Sequence, residues 1–267
     1  MTDFNAQSGE VSLSGTDAGE GVPVLLLHGL TATRRYVVMG SKHLERNGYR
    51  AVAYDARGHG ESSPAASYGY DGLSADLAAV MDELGIESAV VAGASMGAHT
   101  ALRFGLAHPE RVSALVVITP AFDGSVNAED ENWDALADGL ERDGIEGFLA
   151  AMKPPADPRW HDTAVTVARQ RLERHRDLDA VAQALREVPR SRPFEGLQAL
   201  EGLDVPTLIV ASRDESDPGH PLRVAEAYHS RLRRSELMVE EPGKSPIAWQ
   251  GAQLSRAIAE FARRTGA

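Results

Sequence analysis

Short runs that are apolar throughout alternate with helix-length stretches along most of this chain. Val22–His28 (Val-Pro-Val-Leu-Leu-Leu-His) is followed by Arg50–Asp55, Ala89–Ala94, Ser113–Thr119, Pro206–Ala211 and Glu236–Glu240. Between them, helical patterns fall near Arg34–Asn47, Leu73–Leu84, Met96–Ala107, Leu222–Leu232 and Pro246–Arg264. Strands buried on both faces and separated by helices require a parallel sheet covered on both sides by right-handed crossovers. The fold class expected is therefore α/β, a mostly parallel, doubly wound sheet. With 267 residues the chain is long enough to bury a full core around such a sheet.

The alternation lapses once, between Phe122 and about Glu201. That stretch has only helical periodicities: Trp133/Leu136/Leu140, Ile145/Phe148/Leu149/Met152 and Val165/Ala168/Leu172. Asp143-Gly144 and the proline stretch Lys153–Pro158 punctuate it. Structureless loops of this length are rare, so the segment is expected to be a helical cap, residues 123–200, inserted into a core of residues 1–122 and 201–267. Asp123 to Glu146 carries nine carboxylates against Arg142, and Arg159 to Arg192 is arginine-rich. Solvated helix faces are the preferred reading of both, over a charged substrate channel.

Charge and composition narrow the function. The formal net charge of −12 argues against nucleic acid and against an anionic membrane surface as partners. No cysteine is present, which removes disulfides, a thiolate nucleophile and thiolate metal sites. No apolar run approaches the ~20 residues of a membrane span, and the first residues lack the basic and apolar regions of a signal peptide, so a cytoplasmic location is expected. The expected partner is a small-molecule substrate. The sequence says nothing of oligomeric state.

Gly93-Ala94-Ser95-Met96-Gly97 is a G-x-S-x-G string. It gains meaning from context, closing one strand and opening a helix, as a nucleophile elbow must. Strand and helix then pack too closely for side chains at the two glycine positions, and the serine sits on a strained turn. His28-Gly29-Leu30 ends the first central strand, where the Leu30 and Met96 amides can converge beside Ser95 as an oxyanion hole. His28 itself is read as a turn histidine at the edge of the pocket. Gly58-x-Gly60 lacks the third glycine of a dinucleotide loop and is not followed at once by a helix. No Walker loop or His-x-x-x-His pair is present, so no cofactor and no metal are implied.

The strand-ending His-Gly-Leu, the Asp55–Ser62 turn (Asp-Ala-Arg-Gly-His-Gly-Glu-Ser), the elbow, and Asp217-Pro218-Gly219-His220-Pro221 resemble the α/β-hydrolase superfamily, in that family's order. The likeness is greatest to its capped esterase, haloperoxidase-like and aminopeptidase-like members. It covers nearly the whole chain except the cap. It implies Ser95 as nucleophile, an acid on the loop after Pro206–Ala211, and the Leu30/Met96 oxyanion hole. Asp217 matches the family's acid loop better than Asp214, which lies nearer the strand end.

One departure matters. The family's base is a histidine after the last strand, and here that position reads Gly243-Lys244; no histidine follows His229. Three readings are open. His220, on the acid loop, replaces the base; or Lys244 serves with a depressed pKa; or the triad is degenerate and the protein is a ligand-binding module or a lyase- or cyclase-like enzyme. His220 is preferred because an imidazole titrates near neutrality, whereas an ammonium starts near ~10.4. His220 is only three residues from Asp217, so pairing with it and reaching Ser95 at once is a geometric demand. The expected activity is hydrolysis of a small ester, thioester, lactone or amide by an atypical serine hydrolase. Phe122, Trp133, Phe148, Met152 and Trp160 are candidate pocket residues, pointing to an apolar acyl or alcohol group. His43, His161, His175 and His229 read as exposed helix positions, and His99 as buried beneath the elbow.

Overall fold

The apolar runs become the centre of an eight-stranded sheet in the computed structural model, which describes residues 1–126, 131–155 and 157–267. The strands are β1 (Thr2–Ser8), β2 (Val11–Ala18), β3 (Val22–Leu27), β4 (Tyr49–Tyr54), β5 (Ala89–Ala94), β6 (Val112–Ile118), β7 (Thr207–Ala211) and β8 (Ser235–Val239). Their spatial order is β1-β2-β4-β3-β5-β6-β7-β8. β2 pairs antiparallel with both neighbours, and β3 to β8 are parallel. β3 and β5 are neighbours although β4 lies between them in sequence, so the strand order reverses there. In open α/β sheets the crevice at the strand ends beside such a reversal is where ligands bind.

The helices are α1 (His43–Arg46), α2 (Tyr70–Glu83), α3 (Met96–Ala107), α4 (Glu131–Ala151), α5 (His161–Leu172), α6 (Leu178–Glu187), α7 (Leu222–Arg231) and α8 (Gly251–Thr265). α2, α3 and α7 bury Leu77, Leu102 and Val224 on one face of the sheet, and α8 buries Leu254, Ile258 and Phe261 on the other. This is the two-sided cover that the apolar strands demand. Among the described residues no helix is long and apolar enough to cross a membrane.

Two regions differ from the sequence reading. The β1–β2 hairpin was not expected, because only one of its faces is buried and Val11, Leu13 and Gly15 alternate with half-exposed residues. The helix expected over Arg34–Asn47 is reduced to a 3-10 turn at Arg34–Tyr36 and the single turn of α1. Between them the chain reverses at Met39 (φ 48°) and Gly40 (φ 72°), which no α-helix can contain.

Between β6 and β7 the described chain is helical. α4 breaks at Gly144 (φ 62°, ψ −144°), and its two halves bury Leu136, Leu140 and Phe148 together with Leu172 of α5. Val165, expected on the buried stripe of α5, is 39% exposed. Glu129, Asp130 and Ala156, counted above in the acidic run and the proline stretch, lie outside the described residues. α6 seals the segment to the core: Val181 and Leu185 face α4, while Ala180, Ala184 and Val188 pack on Tyr68, Tyr70, Leu73 and Met96. The half-buried Leu30 touches both clusters.

The Asp55–Ser62 turn is held by a buried ion pair. Arg57 Nε and Nη2 donate to the two oxygens of Asp76 on α2, each at 2.7 Å, and Asp76 is fully buried. The same guanidinium donates to the Ser67 and Gly72 carbonyls, both at 3.0 Å. Removing one partner strands the other charge without water. Asp76→Ala is therefore expected to lower unfolding free energy by about 3–5 kcal/mol, measured by urea denaturation.

Candidate active site

Ser95 stands between β5 and α3 with φ 51° and ψ −111°, in a region that non-glycine residues rarely enter. The flanking glycines are there for space. A Cβ on Gly97 would lie 2.3 Å from the Leu27 carbonyl oxygen, and one on Gly93 would lie 2.1 Å from the Gly97 carbonyl oxygen. β3, β5 and the first turn of α3 thus meet backbone to backbone. The Ser95 amide is tied to the Ile118 carbonyl at 2.9 Å.

The loop after β3 lies against the elbow. A Gly29 Cβ would come within 3.3 Å of Ser95 Cβ, and a turn from Gly29 to Ala32 (3.0 Å) places Thr31 at φ 65°. Among the described residues neither the Leu30 N–H nor the Met96 N–H has a protein acceptor. The His28 side chain is the turn histidine preferred on sequence, a brace for its loop, and not the substrate-pocket residue for which it was also a candidate. It is 2% exposed, it accepts from the Ala56 N–H at Nε2 (2.9 Å), and it donates from Nδ1 to the Gly29 carbonyl (2.8 Å).

His220 meets both of its proposed partners. Its Nδ1 lies 2.9 Å from Asp217 Oδ1 and its Nε2 lies 2.9 Å from Ser95 Oγ. A carboxylate only accepts, so Nδ1 carries the proton and Nε2 is free to accept from the serine hydroxyl. The His220 N–H also donates to the Asp217 carbonyl (3.1 Å), so Asp217 and His220 share one turn. Burial pulls this imidazole down, but the charge of Asp217 and the hydrogen bond to it push it up by more. The net value is above that of an ordinary histidine, with the Arg171 charge opposing.

The alternatives sit elsewhere. Asp214 accepts from the Leu222 N–H (2.7 Å) and so caps α7. Lys244 is exposed on the loop after β8, its amide bonded to the Glu241 carbonyl (3.0 Å). Of the expected pocket residues, Phe122 packs in the core against Phe194 (ring centroids 5.1 Å apart), and Phe148 lies inside the helical segment with Trp133 and Met152 half-buried beside it. Trp160 stacks edge-on with Trp249 at 5.6 Å, a contact between the helical segment and the loop after β8. A cavity of about 510 Å³ opens next to Arg34, Asp55 and Glu61; Ser95, Asp217 and His220 do not line it.

His175 was expected to be exposed, and this too is corrected. From the turn between α5 and α6 it accepts from the Gly60 N–H (2.8 Å) and donates to the Thr31 carbonyl (3.0 Å). Its role depends on where the helical segment lands, which no local pattern encodes. His99 is buried beneath the elbow as expected, accepting from the Ala121 and Phe122 amides (3.1 and 3.2 Å) and facing Tyr70 Oη (3.0 Å).

A model of the alpha/beta hydrolase fold family matches residues 22–252. The chain belongs to the α/β-hydrolase-fold family. A 2-hydroxy-6-oxononadienedioate/2-hydroxy-6-oxononatrienedioate hydrolase of Pseudomonas putida is 32% identical over 219 residues, 77% of this chain and 76% of that protein. A 3-oxoadipate enol-lactonase of Acinetobacter baylyi is 29% identical over 200 residues, 72% and 70% of the two chains. A thermophilic esterase from Thermogutta terrifontis superposes with a TM-score of 0.79 at 25% identity, with 100% of both chains covered. These relatives support a hydrolase role for this member of the α/β-hydrolase fold, acting on a small molecule.

Burial pulls the His28 and His99 imidazoles down to about 3; the His220 charge adds to the effect at His99. The folded state then refuses a proton that the unfolded chain accepts. Their contribution to stability is complete above the unfolded value of about 6.5 and is lost as pH falls from there toward about 3. Urea unfolding should show that His99→Gln flattens the pH dependence of stability by up to about 1.4 kcal/mol per pH unit between about pH 6 and 5.

Proposed function

We propose that this chain is a serine hydrolase cleaving a small ester, thioester, lactone or amide through an acyl-enzyme on Ser95. His220 is the general base and Asp217 the acid that orients it. The observation that carries the reading is the unbroken relay Asp217–His220–Ser95, with both contacts at 2.9 Å. Residues 123–200 act as a cap that shapes the pocket.

Ser95 Oγ attacks the substrate carbonyl as its proton passes to His220 Nε2, and the imidazolium that forms is held by Asp217. The carbonyl oxygen becomes an oxyanion on the Leu30 and Met96 amides, which have no other acceptor to give up. Collapse breaks the bond to the leaving group, which takes the proton from His220. Water, deprotonated by the same nitrogen, then attacks the acyl-enzyme and releases the acid. Lys244, exposed to solvent on the loop after β8, has no part in this scheme.

A fluorophosphonate probe should label Ser95, and His220→Ala should lower kcat/KM by about 10³-fold or more while Lys244→Ala retains most of it. The reverse ranking would make Lys244 the base, and full activity in both variants would remove His220 from the mechanism. In the wild type, kcat/KM should rise with pH through one ionisation lying above the ordinary histidine value, because the base works only when neutral and Asp217 raises its pKa. Asp217→Asn should move that inflection down and cut the rate by about 10³–10⁴-fold.

A further inference from the structure

The part of the sheet that a continuous helix over Arg34–Asn47 would cover is left open. The reversal at Met39 and Gly40 splits that segment, and Met39 holds φ 48°, a strained value for a residue with a side chain. Beside the split segment lies the cavity of about 510 Å³, which Ser95, Asp217 and His220 do not line. Its size is that of a small-molecule site. The strand register gives its floor: Ala18 stands opposite Ala51, Thr16 opposite Ala53, and Ala53 opposite Leu26. All five line the cavity, together with Val38 and Leu44 from the split segment. The floor is deep because three of its residues are alanines.

The two ends of this trough differ in charge. Thr33 and Asp55 follow the C-terminal ends of β3 and β4 and mark one end, where Arg34, Arg35, Glu61 and Arg174 also line the cavity. Asp55 and Glu61 are both closed on Arg34, whereas Arg35 and Arg174 have no ion pair among the described residues. The unmatched charge at this end is positive. Toward the start of β4 the lining charges are Lys42 and Glu45, and Asp3 stands between, opposite Thr16. At the positive end Thr33 is only 4% exposed, yet its hydroxyl does not cap the turn that follows and makes no hydrogen bond among the described residues. Hydroxyls on residues so buried normally have a partner.

We propose that this trough is a second binding site, apart from Ser95, for a single-chain carboxylic acid of the fatty-acid type. The carboxylate accepts from the Thr33 hydroxyl and lies among Arg34, Arg35 and Arg174, a charge-assisted bond beside unmatched cations. The hydrocarbon chain runs over Ala53, Ala51 and Ala18 toward α1, where burial of apolar surface favours it. A cationic head would meet the same arginines with both nearby carboxylates already bound to Arg34. A neutral alcohol would keep the Thr33 bond and gain nothing from the arginines. The site holds whether or not Ser95 is acylated.

Calorimetry on the full chain with octanoate and 1-octanol tests this. Octanoate should bind at least about tenfold more tightly than octanol. Thr33→Val, which keeps the size of the side chain, should weaken octanoate by about tenfold. Arg174→Gln should weaken octanoate and leave octanol unchanged, and Ala53→Leu, which fills the trough, should abolish binding of both. His220→Ala, at the catalytic serine, should bind octanoate as the wild type does. Octanoate affinity that falls in His220→Ala and is unmoved by Thr33→Val and Ala53→Leu would put the acid beside Ser95 and overturn the proposal. Equal affinity for the two probes, or no binding of octanoate, would overturn it as well.

Discussion

The site depends on one close approach. α3 begins so near the end of β3 that a single methyl group at residue 97 would stand 2.3 Å from a backbone oxygen. That contact aims the first turn of the helix, and its unbonded amides, at the loop carrying Leu30. It also forces the serine into its unusual backbone conformation, which costs of order 1–3 kcal/mol and survives only because the surroundings leave no other choice. The cost is borne by the rest of the sheet, whose central strands are buried on both faces.

Around that point the molecule is tied by backbone hydrogen bonds to histidines rather than by packing alone. His28, His99 and His175 each accept from one or more main-chain amides, and each is held neutral by burial. They fix the loops after β3, β4 and β6 relative to one another. The helical segment joins this network through His175 and reaches the acid loop through the Asp157 amide, which donates to the Glu215 carbonyl at 3.1 Å.

The central strands were legible because burial on two faces leaves an unbroken apolar run, and the elbow because close packing leaves glycine as the only residue that fits. Both constraints are local. The β1–β2 hairpin was hidden because an edge ribbon buries one face and mixes polar residues into it. The loop from Arg34 to Asn47 misled because Val37, Val38 and Leu44 carry a helical spacing yet reach the core through a reversal of the chain at Met39 and Gly40. The contact of His220 with Ser95 was open to expectation by elimination, since no histidine follows His229 and His220 lies beside Asp217. The sequence did not reveal that the Asp217–His220 turn is tight enough to satisfy both contacts. The bracing role of His175 was invisible, since a polar residue between two helices looks the same whether it faces water or a crevice under another element.

Placing Asp217 and His220 three residues apart has a mechanical consequence. In an arrangement with the two groups on separate loops, any displacement of one loop would both misalign the imidazole and change its charge environment. Here Asp217 and His220 are joined by their side chains and by a backbone bond, so they travel as one rigid body. A shift of this loop alters the distance to Ser95 and leaves the tautomer of His220, fixed by Asp217, as it was. The stretch after β8 supports the pair only at the foot of their loop, where the Glu240 side chain accepts from the Arg213 N–H (2.6 Å) and the Glu240 carbonyl from Arg213 Nε (3.0 Å).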